Sequence, residues 1–142
     1  MRVRTLLAGL AIAAAALQPA GAQTGPKAEH KPPSILLVGA SGMIGSRILS
    51  EATSRGHYVI AASRHPEKIA AGPNTHPVKL DATDEKAFEA EAKHADVIVL
   101  ATSPRGGGDP LAEAKAVSDA AIAAARATHK RLVVVGDRKS VV

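Results

Sequence analysis

The sequence predicts an α/β fold, a three-layer αβα sandwich in which helices cover both faces of a parallel sheet of about five strands in the order 3-2-1-4-5. Three observations support this prediction. From position 34 onward, short apolar runs alternate with stretches of helical periodicity. The first of these runs is continuous, as expected for a strand that is buried on both faces. A glycine-rich turn follows it and leads directly into a helical pattern.

Composition indicates one globular domain with a core of small aliphatic side chains. The chain has 142 residues, of which 46% are hydrophobic and 22% are charged, and this balance is typical of a folded domain. Its phenyl and phenol rings are limited to Tyr58 and Phe88. The absence of cysteine excludes disulfides, thiolate metal sites and cysteine nucleophiles. The formal charge of +5 comes from scattered basic residues with almost no aromatic surface, so we expect no nucleic-acid binding.

Residues 1–22 have the pattern of a signal peptide. A positively charged start precedes an uncharged, alanine-rich run over 5–17, and Ala20 and Ala22 supply a cleavage site of the A-x-A type. The apolar run is shorter than the ~20 residues that a membrane-spanning helix needs. We therefore expect cleavage after Ala22, export to the periplasm or the medium, and no stable membrane span afterwards. An uncleaved anchor and an organellar presequence are the alternatives, and without a leader the protein would be cytoplasmic.

A polar segment over 23–33 follows the leader. It contains Gly25 and the three prolines Pro26, Pro32 and Pro33, which sustain neither a helix nor a central strand. We expect it to be a flexible linker, and the folded domain to occupy residues 34–142.

The first strand–helix–strand unit gives the clearest pattern. Residues 35–38 (Ile-Leu-Leu-Val) form a strand that Gly39 ends. A helix over 43–54 follows, and Gly56 caps it after a basic last turn. Residues 58–62 form the second strand.

The second unit gives a weaker pattern. A short helix is expected over 66–71, and a short third strand over 78–80. Pro77 precedes this strand and Asp81 follows it, and both residue types favour strand ends.

The next helix begins at a side-chain cap, which either Thr83 or Asp84 can supply, and it ends near His94. Its buried positions are those at helical spacing, namely Ala87, Phe88 and Ala92.

The last unit begins with a strongly apolar strand over 97–101 (Val-Ile-Val-Leu-Ala). A glycine-rich loop over 105–109 leads to a helix over 110–127, which has proline at its favoured first position and Asp109 as its cap. The fifth strand follows over 131–135.

Three glycines at steps of three connect the first strand to the first helix, and each has a different predicted task. Gly39 permits the sharp turn, Gly42 lets the backbone approach a pyrophosphate, and Gly45 allows close packing of helix on strand. The free amides and the dipole of the helix start then form an anion site. This pattern indicates dinucleotide binding by a Rossmann-type fold, and no Gly-Lys-Ser/Thr follows that would favour a nucleoside triphosphate. A glycine-rich turn without a ligand is the alternative.

Beyond the glycine motif, the sequence resembles the atypical short-chain dehydrogenase/reductase family, whose NAD(P)H-binding members include NmrA-like, flavin-reductase-like and isomerase-like proteins. The resemblance covers roughly residues 34–136. It is carried by the segments 38–45 (Val-Gly-Ala-Ser-Gly-Met-Ile-Gly), 55–59 (Arg-Gly-His-Tyr-Val), 63–64 (Ser-Arg), 66–68 (Pro-Glu-Lys), 80–81 (Leu-Asp) and 96–100 (Asp-Val-Ile-Val-Leu).

The resemblance implies a role for several positions. The backbone amides of Ser41, Met43 and Ile44 would bind the pyrophosphate beside the glycines. Arg64, at the end of the second strand, would pair with a 2′-phosphate, which makes NADP the preferred cofactor over NAD. A solvated arginine is the alternative.

Positions further along the chain would hold the rest of the cofactor. Asp81 and Ala82 would lie at the adenine edge, and a helix-start acid is the alternative for Asp81. Ala101 and Thr102 would line the ribose and nicotinamide side. The loop 105–108 would close over the cofactor, or it is a flexible loop without that task.

No catalytic residue is assigned. Active short-chain dehydrogenases generally use a tyrosine and a lysine four residues later, but this chain has no Tyr-x-x-x-Lys, and its single tyrosine, Tyr58, lies in the second strand. The histidines are never at metal-ligand spacing, so no metal site is predicted.

After Val135 the sequence departs from the family. One hypothesis is a truncated gene model in which residues 137–142 are translated adapter sequence, so that the domain is incomplete at its C-terminus and Ser140 has no catalytic role. The fifth strand would then be an apolar edge that favours a homodimer.

We therefore expect an NAD(P)H-binding protein of the oxidoreductase or isomerase type that acts on an unknown small-molecule substrate. A module that senses NADP without turnover and a scaffold with a vestigial glycine loop are the alternatives. A measured affinity for the cofactor would exclude the scaffold, and turnover of a substrate would then distinguish the enzyme from the NADP-sensing module.

Overall fold

The computed structural model of the chain describes residues 31–104 and 107–136. The expected signal peptide, most of the expected linker and the tail 137–142 lie outside the described residues, as do Arg105 and Gly106. Within the described part, no helix is both long enough and apolar enough to cross a membrane.

A five-stranded sheet forms the centre of the domain. Its strands run parallel in the order β3-β2-β1-β4-β5, as the sequence predicts. Leu37 of β1 pairs with Ala61 of β2 and with Val99 of β4, so β1 is the central strand. The strands are β1 (Ile35–Val38), β2 (Val59–Ser63), β3 (Thr75–Lys79), β4 (Val97–Leu100) and β5 (Arg131–Val134).

Helices cover both faces of the sheet and complete the three layers. They are α1 (Met43–Ser54), α2 (Glu85–Ala92) and α3 (Pro110–Thr128). Because successive residues of a strand point to opposite faces, β1 contributes to two cores. Leu36 and Val38 pack on the side of α2 and α3, whereas Leu37 packs on the side of α1.

The core on the side of α2 and α3 combines one aromatic ring with small side chains. Phe88 and Ala92 of α2 are fully buried, as expected, whereas Ala87 is only partly buried. Ala121 and Ala124 of α3 are also fully buried. Alanines at these positions let α3 lie close to the sheet and to α2, as the composition suggests.

The part of the chain between β2 and α2 differs most from the expectation. The short helix expected over 66–71 is a 3-10 turn, Pro66–Lys68. The third strand is longer and begins earlier than the expected 78–80, so Pro77 lies inside it. Because β3 is an edge strand, a residue without an N–H is tolerated on its open side.

Side-chain caps begin two of the helices. Asp84 caps α2, since its Oδ1 accepts from the backbone N of Ala87 at 3.1 Å, and this decides between Asp84 and Thr83. Asp109 caps α3 as expected, since its Oδ1 accepts from the backbone N of Leu111 at 2.9 Å.

Candidate functional site

The carboxyl ends of β1, β2 and β4 meet at one edge of the sheet. β1 leads through α1 to β2, whereas β4, its neighbour on the other side, leads through α3 to β5. The crevice between two such diverging connections is where open α/β sheets bind ligands. Three of the predicted site residues follow these strand ends directly, namely Gly39, Arg64 and Ala101.

Gly39 turns the chain at the end of β1. Its φ of +90° lies in the region that favours glycine. A β-carbon there would lie 2.5 Å from the carbonyl oxygen of Ala101 and 3.1 Å from Cγ2 of Thr102. Both the backbone conformation and the packing of the strand ends therefore require glycine at this position.

Gly45 lies in the first turn of α1 and packs against the same loop. A β-carbon on Gly45 would lie 2.0 Å from the carbonyl oxygen of Gly39 and 3.0 Å from Cα of Ala40. The close packing expected at Gly45 is therefore present, although its partner is the loop at the end of the strand rather than the strand itself.

Gly42 differs from the other two glycines because the fold leaves space beside it. It is the N-cap of α1, with extended backbone angles. Among residues 31–104 and 107–136, a β-carbon on Gly42 would meet a single atom within 4 Å, the carbonyl oxygen of Gly39, at a tight 3.3 Å. Apart from that contact, the described part of the chain does not fill the volume in front of Gly42, and the absence of a side chain keeps that volume open.

The first turn of α1 presents its backbone amides at this open volume. The amides of Met43, Ile44 and Gly45 belong to the first helical turn, which has no intrahelical acceptor for them. No side chain of the described residues caps the helix, and no acidic residue lies in its first turn. The positive end of the helix dipole is therefore unopposed, which suits an anion.

The side chains of Met43 and Ile44 contribute little to this anion site. They are 70% and 49% exposed, so the backbone rather than the side chains forms the binding surface. Ser41, between the first two glycines, is also exposed.

A pair of serines connects the glycine loop to the end of β2. Oγ of Ser41 lies 2.6 Å from Oγ of Ser63, and either hydroxyl can donate. Oγ of Ser63 also accepts from the backbone N of His65 at 3.1 Å. In the described part of the chain, Ser63 is the single buried polar side chain. Ser63 was not among the site residues predicted from the sequence, although its place at a strand end next to Arg64 was the available signal.

Arg64 extends from the end of β2 toward the start of α3. Its Nη1 lies 3.7 Å from Oε1 of Glu113, and the Arg64 side chain is 51% exposed, compared with 24% for Glu113. Sequence analysis did not find this ion pair, because the two residues are far apart in the chain and belong to different elements.

Asp81 follows β3 and stabilises its own turn. Its Oδ1 accepts from the backbone N of Thr83 at 3.0 Å and from Oγ1 of Thr83 at 2.7 Å. These hydrogen bonds lower the pKa of Asp81, and the positive charge of Arg64 lowers that pKa further. The carboxylate is therefore ionised at neutral pH, with one oxygen held by the turn.

The remaining predicted positions lie against the two cores. Ala82 packs on the side of α2 and α3, whereas Ala101 packs on the side of α1. Thr102 is partly buried. Of the glycine-rich loop after β4, Gly107 and Gly108 are described, and both are exposed. Among residues 31–104 and 107–136, no cluster of three or more histidines and acids could hold a metal ion.

Residues 39–140 match the model of a protein family described as NAD(P)H-binding. The match begins at the first glycine of the loop and covers more than half of the chain. This chain belongs to the NAD(P)H-binding family. The resemblance to atypical short-chain dehydrogenases is thereby confirmed, and the cofactor class of the family is a nicotinamide dinucleotide.

Several solved structures share the fold of this NAD(P)H-binding domain. A candidate epimerase of Bacteroides thetaiotaomicron is 32% identical, with a TM-score of 0.66 over 75% of this chain and 48% of its own. A candidate exported protein of Burkholderia pseudomallei is 36% identical, with a TM-score of 0.59 over 73% of this chain and 47% of its own. No curated protein matches the sequence.

A third similar structure contains a bound cofactor. The uronate dehydrogenase of Agrobacterium tumefaciens, complexed with NAD, is 26% identical, with a TM-score of 0.61 over 73% of this chain and 40% of its own. The chain spans less than half the length of each of these three structures.

The residues present fit a dinucleotide. A pyrophosphate needs amide donors and backbone that can approach it without an intervening side chain, and α1 and Gly42 provide both. The loop that presents them is fixed, because Gly39 and Gly45 are closed in by backbone atoms.

Proposed function

We propose that this chain binds NADP, and less tightly NAD, with the pyrophosphate on the loop from Gly39 to Gly45. The observation that carries the proposal is the contrast between Gly42 and its neighbours. The fold itself requires glycine at positions 39 and 45, whereas beside Gly42 the described residues leave a volume that a bound pyrophosphate would fill. The amides of Ser41, Met43 and Ile44 would donate to the phosphate oxygens.

The proposed positions for the rest of the cofactor follow the edge of the sheet. Asp81 and Ala82 would contact the adenine, and Ala101 and Thr102 the ribose and the nicotinamide side. The electrostatic interaction between Asp81 and Arg64 supports a shared adenosine pocket at the ends of β2 and β3.

Arg64 supports the preference for NADP. Its guanidinium is half-exposed at the end of β2, the position from which a Rossmann domain contacts the 2′ position of the adenosine ribose. An arginine there can bind a phosphate through two parallel hydrogen bonds, which a 2′-hydroxyl cannot match.

The proposed reaction class is that of an oxidoreductase or isomerase acting on a small molecule. When bound, the nicotinamide supplies or accepts the hydride, while this chain binds and orients it. The candidate epimerase and the uronate dehydrogenase among the similar structures support this class. The group that moves the proton is not assigned to any residue of this chain.

Export is the proposed location. The leader pattern over 1–22 supports it, and so does the similarity to a protein described as a candidate exported protein. Expression in a bacterial host followed by N-terminal sequencing of the periplasmic fraction tests this proposal. We expect the mature chain to begin at Gln23, and an intact Met1 in the cytoplasm would contradict it.

Cofactor preference is tested by titrating the full chain with NADPH and NADH and measuring the heat of binding. We expect NADPH to bind more tightly, and Arg64→Ala to remove most of that difference. Arg55→Ala is the matched control, because Arg55 is an exposed arginine whose partner, Glu51, is on the same helix α1. The proposed preference would be contradicted if the wild type bound NADH more tightly than NADPH. It would also be contradicted if Arg64→Ala and Arg55→Ala had the same ratio of affinities for the two cofactors.

A further inference from the structure

The ion pair between Arg64 and Glu113 brings two opposite charges to one place from two different elements. Arg64 follows β2, and Glu113 lies in the first turn of α3. Their charged atoms are 3.7 Å apart. A ligand group that binds Arg64 must therefore also be within a few ångströms of a carboxylate.

The fold fixes Glu113 in this position. Asp109 caps α3, and the backbone N of Glu113 donates to the carbonyl oxygen of Asp109 at 3.1 Å. A carboxylate in the first helical turn is stabilised by the helix dipole. The backbone of Glu113 is therefore held by the first turn of α3, and its side chain starts from a fixed point beside Arg64.

A second acid, Asp81, lies near Arg64, but among the described residues it forms no ion pair with the guanidinium. Asp81 also lies near enough to Arg64 for the arginine to lower its pKa, but Oδ1 of Asp81 is occupied by two hydrogen bonds from Thr83. Glu113 is the carboxylate that forms the ion pair with Arg64.

The two charges favour different cofactors. In Rossmann domains, a carboxylate near the end of the second strand accepts from the 2′-hydroxyl of NAD, whereas an arginine accommodates the 2′-phosphate of NADP. In this chain β2 supplies only the arginine, and the carboxylate comes from α3. We infer that Glu113 is a specificity-determining residue that accepts from the 2′-hydroxyl of NADH and opposes the 2′-phosphate of NADPH, so that the protein uses both cofactors. This inference rests on the proposed dinucleotide site.

Replacing the carboxylate by its neutral amide tests the inference. Glu113→Gln removes the charge and keeps the shape, so it frees Arg64 and ends the repulsion of a 2′-phosphate. We expect the ratio of the dissociation constants, NADH over NADPH, to rise about three- to tenfold, as for a partly exposed charge pair. Glu113→Lys should raise the ratio further. Glu89→Gln is the control, because Glu89 pairs with Lys93 on α2 at a similar exposure.

The measurement is isothermal titration of the full chain with each cofactor, and far-UV circular dichroism confirms that each variant is folded. If the ratio of dissociation constants stays within about twofold of the wild-type ratio in both Glu113 variants, the role of Glu113 is overturned, whereas the proposed dinucleotide site is not. A folded wild type that binds neither cofactor would overturn the proposed function and this inference with it.

Discussion

The carbonyl oxygen of Gly39 occupies the space in which a side chain on Gly45 would begin. A β-carbon on Gly45 would lie 2.0 Å from that oxygen. The turn after β1 and the first turn of α1 are therefore packed backbone against backbone, and this contact holds the amides of α1 at the carboxyl edge of the sheet.

Gly45→Ala should destabilise the protein by about 2 kcal/mol or more, because the added methyl forces the loop and the helix apart. Urea denaturation followed by circular dichroism measures the change. Gly72→Ala is the control, since within the described residues a β-carbon on Gly72 would meet only Oγ1 of Thr75, at 4.0 Å. Equal stability of the two variants would contradict the packing described for Gly45.

Ser63→Ala should cost about 1 kcal/mol of stability and weaken cofactor binding. The hydroxyl of Ser63 is buried and connects Ser41 of the glycine loop with the backbone N of His65, so its removal frees the loop and leaves two groups without a partner. Thermal melts and NADPH titration measure the two effects. Ser54→Ala is the control, because it removes only a local hydrogen bond to the carbonyl oxygen of Glu51, and it should change neither stability nor cofactor binding. If Ser63→Ala also changes neither, the proposed link between Ser63 and the glycine loop is refuted.

Asp96 should make stability depend on pH in the acid range. Its Oδ2 accepts from the backbone N and the Oγ of Ser34, and the backbone hydrogen bond is the main cause of its lowered pKa. A lowered folded-state pKa stabilises the fold above the unfolded-state pKa of about 4 and ceases to do so as the pH falls through the folded-state value. Asp96→Asn should therefore be less stable than the wild type at pH 7.

The difference between the wild type and Asp96→Asn should narrow as the pH falls below about 4, where the wild-type carboxyl is also protonated. Urea denaturation over a series of pH values measures it. Asp119→Asn is the control, because Asp119 is an exposed acid paired with Lys115 on the same helix. A difference that stays constant down to pH 2 would contradict the linkage.

The edge of the sheet at β5 should promote self-association. Within the described residues β5 pairs only with β4, and Val133 and Val134 are 44% and 58% exposed. An exposed apolar edge strand can pair with a second copy. Val134→Lys should shift sedimentation velocity profiles toward the monomer, whereas Ile122→Lys, on the surface of α3, should not. A wild type that stays monomeric at all concentrations would contradict this prediction.

The strand order and the glycine loop could be predicted because alternating strands and helices, with a glycine turn after the first strand, are typical of Rossmann-type folds. The apolar run 35–38 is continuous because β1 is central, and Gly45 packs against the nearby Gly39, whereas the contact of Gly39 with Ala101 joins residues far apart in the chain. The third strand was predicted too short because Pro77 was interpreted as a residue that precedes the strand, although the predicted order already placed this strand at the edge of the sheet, where a proline is tolerated.

The polar contacts of the candidate site could not be predicted from the sequence, because they join residues that are far apart in the chain. Ser63 and Glu113 are common residue types in unremarkable sequence surroundings. Their importance comes from contacts with Ser41 and Arg64, which the chain brings together only after β2 and α3 have packed. Long-range pairs of this kind leave no periodic signal in a single sequence.

The central claim is that Gly42 is a glycine because a pyrophosphate binds in front of it. Titration of the full chain with NADPH, comparing the wild type with Gly42→Asp, tests this claim most directly. Aspartate is a favoured N-cap residue, but its β-carbon would lie a tight 3.3 Å from the carbonyl oxygen of Gly39, so circular dichroism and a thermal melt first establish that the variant is folded. NADPH binding should nevertheless be lost, because the new carboxylate occupies and repels the phosphate position. A folded Gly42→Asp variant that binds NADPH as tightly as the wild type would contradict the account.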